Sequence, residues 1–233
     1  MTRNALTVVL VGVLTLGGLL VMLELTTPGG LILDRPDAEI AALADAAFLT
    51  EEGREIFFDA RPRLRDDDEV SRECDQRAFE PDDSGGGTTV GCYNGYDVIS
   101  ILEPDDARLR PMMVTTAAHE LLHAAYARLD AAERDEVDAL VAAEILRVPA
   151  DDAVHAQIAA SVGDRSENLA NELFAYLGSQ VVLDGGFAPE LEAYYARYFT
   201  DRYALVDVFL AFESTLGGDV VELEDGWADP GRS

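Results

Sequence analysis

Two histidines and a glutamate lie at residues 119–123 in the order His-Glu-x-x-His, inside an apolar stretch with helical periodicity. Positions i and i+4 of a helix share one face, so the imidazoles of His119 and His123 can reach one metal ion. Glu120, one residue further round, then faces the water that such an ion carries. This spacing is typical of zinc-dependent hydrolases, in which the glutamate is a general base.

A catalytic zinc site needs a third protein ligand, because such sites use three and leave the fourth position to water. The chain has three histidines, and the remaining one, His155, lies in a polar stretch typical of a protein surface. We therefore expect a carboxylate from a downstream helix. Glu144 lies on the inward face of its predicted helix, whereas Glu172 has the small residue Ala175 nearby, which would let its helix approach the metal. We favour Glu172 and keep Glu144 as the alternative.

The sequence HELLH at residues 119–123, followed by a helix with E-x-x-A at residues 172–175, resembles the gluzincin group of zinc metallopeptidases, and within it the membrane-anchored kind. The resemblance implies a zincin-like fold, one zinc ion per chain and a peptide or protein substrate. The zinc ligands that it implies are His119, His123 and Glu172. Glu120 would be the catalytic general base.

The resemblance also implies that the substrate main chain lies beside an edge strand just before the zinc helix, a place that residues 96–102 occupy here. Many gluzincins have an aspartate four residues after the third ligand, and this chain has Tyr176 there. The partners that orient the ligands are therefore not assigned from the sequence. Candidates for an oxyanion donor are Tyr126, Tyr176 and the tyrosines of residues 194–203.

Periodicity and turn chemistry predict an α+β fold that is mostly helical with a small antiparallel sheet. Residues 88–93 and 96–102 form a predicted hairpin around Asn94-Gly95. The charge run at residues 61–69 is typical of a solvated loop. The predicted helices cover residues 37–48, 50–58, 111–129, 130–147, 151–162, 169–182 and 189–212.

Residues 5–23 are 19 positions without a charge, enough to span roughly 30 Å as a helix. Arg3 precedes this run and Glu24 follows it, so the positive-inside rule predicts a single-pass anchor in the cytoplasmic membrane with the N-terminus inside. We expect the anchor within residues 1–25, followed by a linker. The linker covers residues 26–30, the extracytoplasmic metallopeptidase domain 31–216 and an acidic tail 217–233.

Acidic residues outnumber basic ones by 45 to 17, the formal charge is −28, and the chain contains no lysine. Such a surface repels phosphate backbones, so nucleic acid is excluded as a partner. Cys74 and Cys92 fit an oxidising compartment, and we expect a disulfide between them. The alternative is a pair of buried free thiols.

A function of a different class fits the same residues. An extracytoplasmic binding or scaffold protein could keep a zincin-like fold, with or without structural zinc, and cleave nothing. Retention of Glu120 argues against this alternative, because a structural site has no need of a carboxylate beside an open coordination position.

Overall fold

The computed structural model of the chain describes residues 37–75 and 89–225. Within this part the protein is mostly helical with one small sheet, which confirms the predicted balance of helix and strand. None of the described helices is both long and apolar enough to cross a membrane. The expected anchor at residues 5–23 and linker at residues 26–30 lie outside the described part.

Helices dominate both halves of the described chain, and the strands lie between α2 and α4. The helices are α1 (Ala38–Ala46), α2 (Glu51–Asp59), α3 (Asp67–Asp75), α4 (Arg110–Arg128), α5 (Ala131–Glu144), α6 (Val154–Val162), α7 (Leu169–Gln180), α8 (Pro189–Tyr198) and α9 (Arg202–Asp225). The strands are β1 (Arg63–Arg65), β2 (Gly91–Tyr93) and β3 (Ile99–Leu102), in the order β1-β3-β2. Helix α9 continues past Gly217, where the sequence predicts the acidic tail to begin.

Strands β2 and β3 form the predicted antiparallel hairpin, with Gly91 opposite Ile101 and Tyr93 opposite Ile99. The side-chain oxygen of Asn94 accepts hydrogen bonds from two backbone N–H groups of the turn, at 2.8 and 3.2 Å. An asparagine that bonds its own loop in this way stabilises a tight turn. The hairpin is confirmed, but its second strand begins at Ile99 rather than at residue 96, so the loop is longer than the predicted Asn94-Gly95 dipeptide.

The charged run at residues 61–69 is not the loop that its composition predicts. It forms β1, which pairs in parallel with β3, and then the start of α3. Leu64 packs against the main core, and Arg65 is paired with Glu73 of α3 at 2.9 Å. The parallel pairing of β1 makes the sheet mixed rather than purely antiparallel. The ion pair of Arg65 with Glu73 places this charge within the fold instead of in a solvated loop.

A disulfide joins Cys74 of α3 to Cys92 of β2, as the sequence predicts. Both residues pack with Val70 and Leu102 in a small apolar cluster separate from the main core. In the chain-entropy model, closing a loop of this size stabilises the fold by about 3 kcal/mol. The bond fastens the short strand β2 to a helix.

The segment predicted as one helix over residues 189–212 is two helices. Helix α8 ends at Tyr198, and Phe199 is extended and forms a β-bridge with Leu49. The backbone carbonyl of Tyr198 accepts a hydrogen bond from the N–H of Thr50 at 2.9 Å. Pairing with a distant part of the chain thus replaces the helical hydrogen bonds at this point.

Helix α4 contacts α1, α2, α7 and α9 as well as both strands of the hairpin. Its neighbour α7 approaches closely at Gly178, where an added Cβ would lie 2.5 Å from Leu122 Cδ1 and 2.5 Å from the ring of Tyr195. Ala175 of α7 is also fully buried. Small residues on α7 therefore let the helices that carry the candidate ligands lie side by side.

Candidate metal centre

Helix α4 carries the His-Glu-x-x-His residues in its second half. Pro111 lies in its first turn, where the missing N–H costs no helical hydrogen bond. The Nε2 atoms of His119 and His123 lie 3.1 Å apart, and their ring centroids are 4.7 Å apart. The four-residue spacing thus aims both imidazoles at one point.

Glu172 lies in the first turn of α7 and completes the group. Its Oε2 atom lies 3.8 Å from Nε2 of His119 and 3.6 Å from Nε2 of His123. In the part of the chain that the structure describes, these three residues form a group that could hold a metal ion, with ligand atoms within 4.8 Å of one another. The cluster contains the three residues that the sequence analysis favours as ligands.

The distances from the Glu172 carboxylate to the two imidazoles suit a shared ion better than direct hydrogen bonds. At 3.6 and 3.8 Å the carboxylate oxygen is too far from either nitrogen for a hydrogen bond. Two ligands of a tetrahedral zinc ion are about 3.3 Å apart, given metal–ligand bonds of about 2.0–2.1 Å. Two imidazoles and a carboxylate suit zinc and other first-row divalent metals, so the donor set alone does not select one.

Asn171 orients the second histidine. Its Oδ1 atom lies 3.0 Å from Nδ1 of His123. Because an amide oxygen only accepts hydrogen bonds, Nδ1 of His123 carries a hydrogen that points at Asn171. The Nε2 lone pair of His123 is therefore left to face His119 and Glu172, as a metal ligand must.

His119 is held differently. Among the described residues, nothing hydrogen-bonds its buried Nδ1 atom. Burial lowers the pKa of His119 well below its ordinary value, and the neighbouring His123 lowers this pKa further. Both effects favour the neutral imidazole, the form that binds metal. The ring of Tyr176 packs edge-to-face on the His119 ring, with centroids 4.6 Å apart.

Glu120 is buried at 5% exposure and lies next to the sheet. A Cβ atom added to Gly91 of β2 would be 3.7 Å from Glu120 Cγ. Burial raises the pKa of Tyr176 against the lowering effect of its hydrogen bond to Ser161, and the charges of Glu172 and Glu120 raise this pKa further. Both carboxylates thus act on the Tyr176 hydroxyl, and the Glu120 side chain packs near β2.

The strand beside the cluster is not the one that the sequence analysis places there. Residues 96–102 include β3, which is the central strand and has β1 and β2 on its two sides. Within the described part of the chain, β2 has a strand neighbour on one side only, and β2 is the strand that carries Gly91 against Glu120. Hydrogen bonds on both sides of β3 leave no room for another chain, so the edge strand at the cluster is β2.

Glu144, the alternative third ligand, is committed elsewhere. Its carboxylate is paired with Arg147 at 2.5 Å and accepts a hydrogen bond from the backbone N–H of Ala188 at 3.0 Å. Glu144, the last residue of α5, therefore has a structural role, because it holds the start of α8. His155, expected to be exposed, is partly buried, and its Nε2 lies 3.0 Å from the carbonyl of Pro149.

Most of the candidate tyrosines have partners away from the cluster. Tyr126 donates to Asp138 at 2.6 Å, Tyr194 to Glu136 at 2.9 Å, and Tyr195 to the carbonyl of Phe174 at 3.0 Å. Tyr176 differs from these three because its ring contacts a candidate ligand. Of these tyrosines, Tyr176 is the one in ring contact with His119.

Sequence reasoning missed three residues around the cluster. Asn171 precedes Glu172 directly, and its position beside a candidate ligand was a usable signal. Gly91 stands in a predicted strand, where a glycine often marks a close approach. Ser161 carries no signal, because nothing local in its sequence relates it to Tyr176.

Comparison of the chain with protein-family models, with curated proteins and with solved structures finds no match.

Proposed function

We propose that this protein is a zinc-dependent peptidase with a zincin-like fold, held at the outer side of the cytoplasmic membrane by residues 5–23. The observation that carries the proposal is the convergence of His119, His123 and Glu172 beside a buried Glu120. A site built only for structural zinc would gain nothing from that glutamate.

Zinc held by the three ligands would acidify a water molecule and polarise the scissile carbonyl of a peptide. Glu120 accepts the proton of the attacking water and later delivers it to the leaving amine. Asn171 keeps the His123 lone pair directed at the metal position.

Strand β2 offers a means of holding the substrate. An extended peptide can add to a strand that has a free side, using main-chain hydrogen bonds that do not depend on the peptide sequence. Gly91 brings the β2 backbone against Glu120, so a peptide paired with β2 would pass close to the general base. We infer that substrates are extended or unfolded segments of polypeptide.

The disulfide supports a location outside the cytoplasm, since such bonds persist in oxidising compartments. The span predicted at residues 5–23 would then be the membrane anchor. A peptide or protein is the partner that this site suits, and the charge of −28 disfavours nucleic acid.

The test uses the full-length protein in detergent micelles, with metal content measured by elemental analysis and cleavage measured on an unfolded, fluorescently labelled protein. We expect about one zinc per chain. We also expect cleavage that a chelator abolishes and added zinc restores.

The decisive variant is Glu120→Gln, which should keep the zinc and lose cleavage by at least about 100-fold, the lower range for a general base. Glu167→Gln, at an exposed position before α7, is the matched control and should cleave like the wild type. Cleavage that survives in Glu120→Gln would refute the mechanism. A folded, zinc-loaded wild type that cleaves no polypeptide would favour the binding or scaffold protein instead.

A further inference from the structure

The two histidines of the cluster are oriented by different means. Asn171 holds His123 through a hydrogen bond to Nδ1, whereas among the described residues nothing hydrogen-bonds Nδ1 of His119. A metal ligand without an orienting partner would lose rotational freedom on binding the ion, at a cost in affinity. Some other contact must fix the His119 ring if both ligands are preorganised.

The ring of Tyr176 supplies such a contact. It stands one turn after Glu172 on α7 and meets the His119 ring edge-to-face, with centroids 4.6 Å apart and an interplanar angle of 74°. His123 meets the His119 ring at 82° with centroids 4.7 Å apart. The two aromatic contacts fix the plane of the His119 ring, because edge-to-face packing depends on the relative orientation of the rings.

Tyr176 is itself anchored from a third helix. Its hydroxyl lies 2.7 Å from Oγ of Ser161, which belongs to α6. Helix α6 packs on α7, so the tyrosine ring is held between its own backbone and this hydrogen bond. Ring contact and hydrogen bond together connect α6 to the candidate ligand on α4.

We propose that Tyr176 is a positioning residue whose ring holds His119 in its metal-binding orientation, with only a minor contribution from the hydrogen bond to Ser161. The inference rests on the proposed metal site. In this arrangement the packing of the Tyr176 ring orients His119, a role that a hydrogen bond to Nδ1 plays for His123.

The test measures metal affinity of the full-length protein in detergent by competition with a chromophoric chelator, using zinc and then cobalt(II). Tyr176→Leu removes the ring and should weaken zinc binding by about 10- to 100-fold, the range for loss of an orienting partner. Tyr176→Phe keeps the ring and should stay within about 3-fold of the wild type. Tyr194→Leu, which removes a tyrosine bonded to Glu136 instead, is the matched control and should bind zinc normally.

Two further readouts separate positioning from general stability. The visible absorption of bound cobalt(II) reports ligand geometry, and it should change in Tyr176→Leu and stay as in the wild type in Tyr176→Phe. Ser161→Ala and Tyr176→Phe remove the same hydrogen bond, so the double variant should bind zinc no more weakly than either single variant.

A folded Tyr176→Leu protein with wild-type zinc affinity would overturn the inference while leaving the proposed function intact. So would a Tyr176→Phe variant that loses as much affinity as Tyr176→Leu, since the hydroxyl would then be the active group. If Tyr176→Leu does not fold, Tyr176→Met, which keeps much of the volume without a ring, takes its place with the same expectations. A folded wild type that binds no metal would refute the proposed function itself.

Discussion

Asn171 Oδ1 lies 3.0 Å from Nδ1 of His123, although the two residues belong to different helices, α7 and α4. Asn171 directly precedes Glu172, so one turn of α7 contributes both a candidate ligand and the residue that orients another. The packing of α7 on α4 therefore sets the position of one ligand and the tautomer of a second.

Replacing Asn171 with alanine should weaken zinc binding by about 10- to 100-fold, because His123 would lose the acceptor that fixes its tautomer. Asn171→Asp keeps an acceptor and should bind zinc more tightly than Asn171→Ala. Chelator competition measures both affinities. Asn168→Ala is the control, since the Asn168 side chain makes no capping hydrogen bond at the start of α7. Equal affinity in Asn171→Ala and the wild type would remove Asn171 from the site.

Glu172 and Glu144 should differ in what their loss affects. Glu172→Ala should abolish the zinc content of about one ion per chain expected from a three-ligand site. Glu144→Ala should retain zinc. Its free energy of unfolding should fall by about 1–3 kcal/mol, because Glu144 is only 4% exposed and the hydrogen bonds of its buried carboxylate are lost. Elemental analysis and urea unfolding give the two quantities. Zinc lost from Glu144→Ala alone would transfer the third ligand to that residue.

Gly91→Ala should destabilise the contact between β2 and α4. The added Cβ would lie 2.5 Å from Thr116 Cγ2 and 2.8 Å from the carbonyl oxygen of Ser100, closer than atoms can approach. We expect a loss of about 1–3 kcal/mol in the free energy of unfolding, typical of overpacking. Thr116→Ser removes the first clash and should restore part of the loss in the double variant. If Gly91→Ala were as stable as the wild type, β2 would not lie this close to Thr116 of α4.

Stability should fall in acid partly through Glu192. Burial raises the pKa of Glu192, but the hydrogen bonds and charge of Arg202, together with hydrogen bonds from the Phe187 N–H and Tyr203, outweigh burial. They lower this pKa below its ordinary value of 4.5. The ionised carboxylate therefore stabilises the folded state above that pH, and the stabilisation is lost as the pH falls through the lower folded-state pKa. The difference in free energy of unfolding between wild type and Glu192→Gln should be largest near neutral pH and shrink in acid.

Urea unfolding from about pH 3 to about pH 7 measures this difference. Glu190→Gln changes an exposed glutamate of the same helix and serves as the control, with no such pH-dependent difference expected. A difference between wild type and Glu192→Gln that stays constant with pH would mean that the ion pair with Arg202 does not contribute.

Features that depend on residues close together in the chain could be predicted from the sequence. The spacing of His119 and His123 determined that both lie on one helical face, because the helical period acts over four residues. Asn94-Gly95 determined the hairpin, since turn conformation depends on the turn residues themselves. The charge-free run at residues 5–23 remains a prediction, because it lies outside the described residues.

Tertiary structure decided what depends on residues far apart in the chain. The contact of Asn171 with His123, the place of Gly91 beside Glu120, and the pairing that makes residues 63–65 a strand all join separate elements. No local period or turn encodes such pairs, because they follow from how whole helices and strands pack against one another. For the same reason the sequence left open which of Glu144 and Glu172, two glutamates on similar helices, lies beside the two histidines. The packing of α7 on α4 brings Glu172 there.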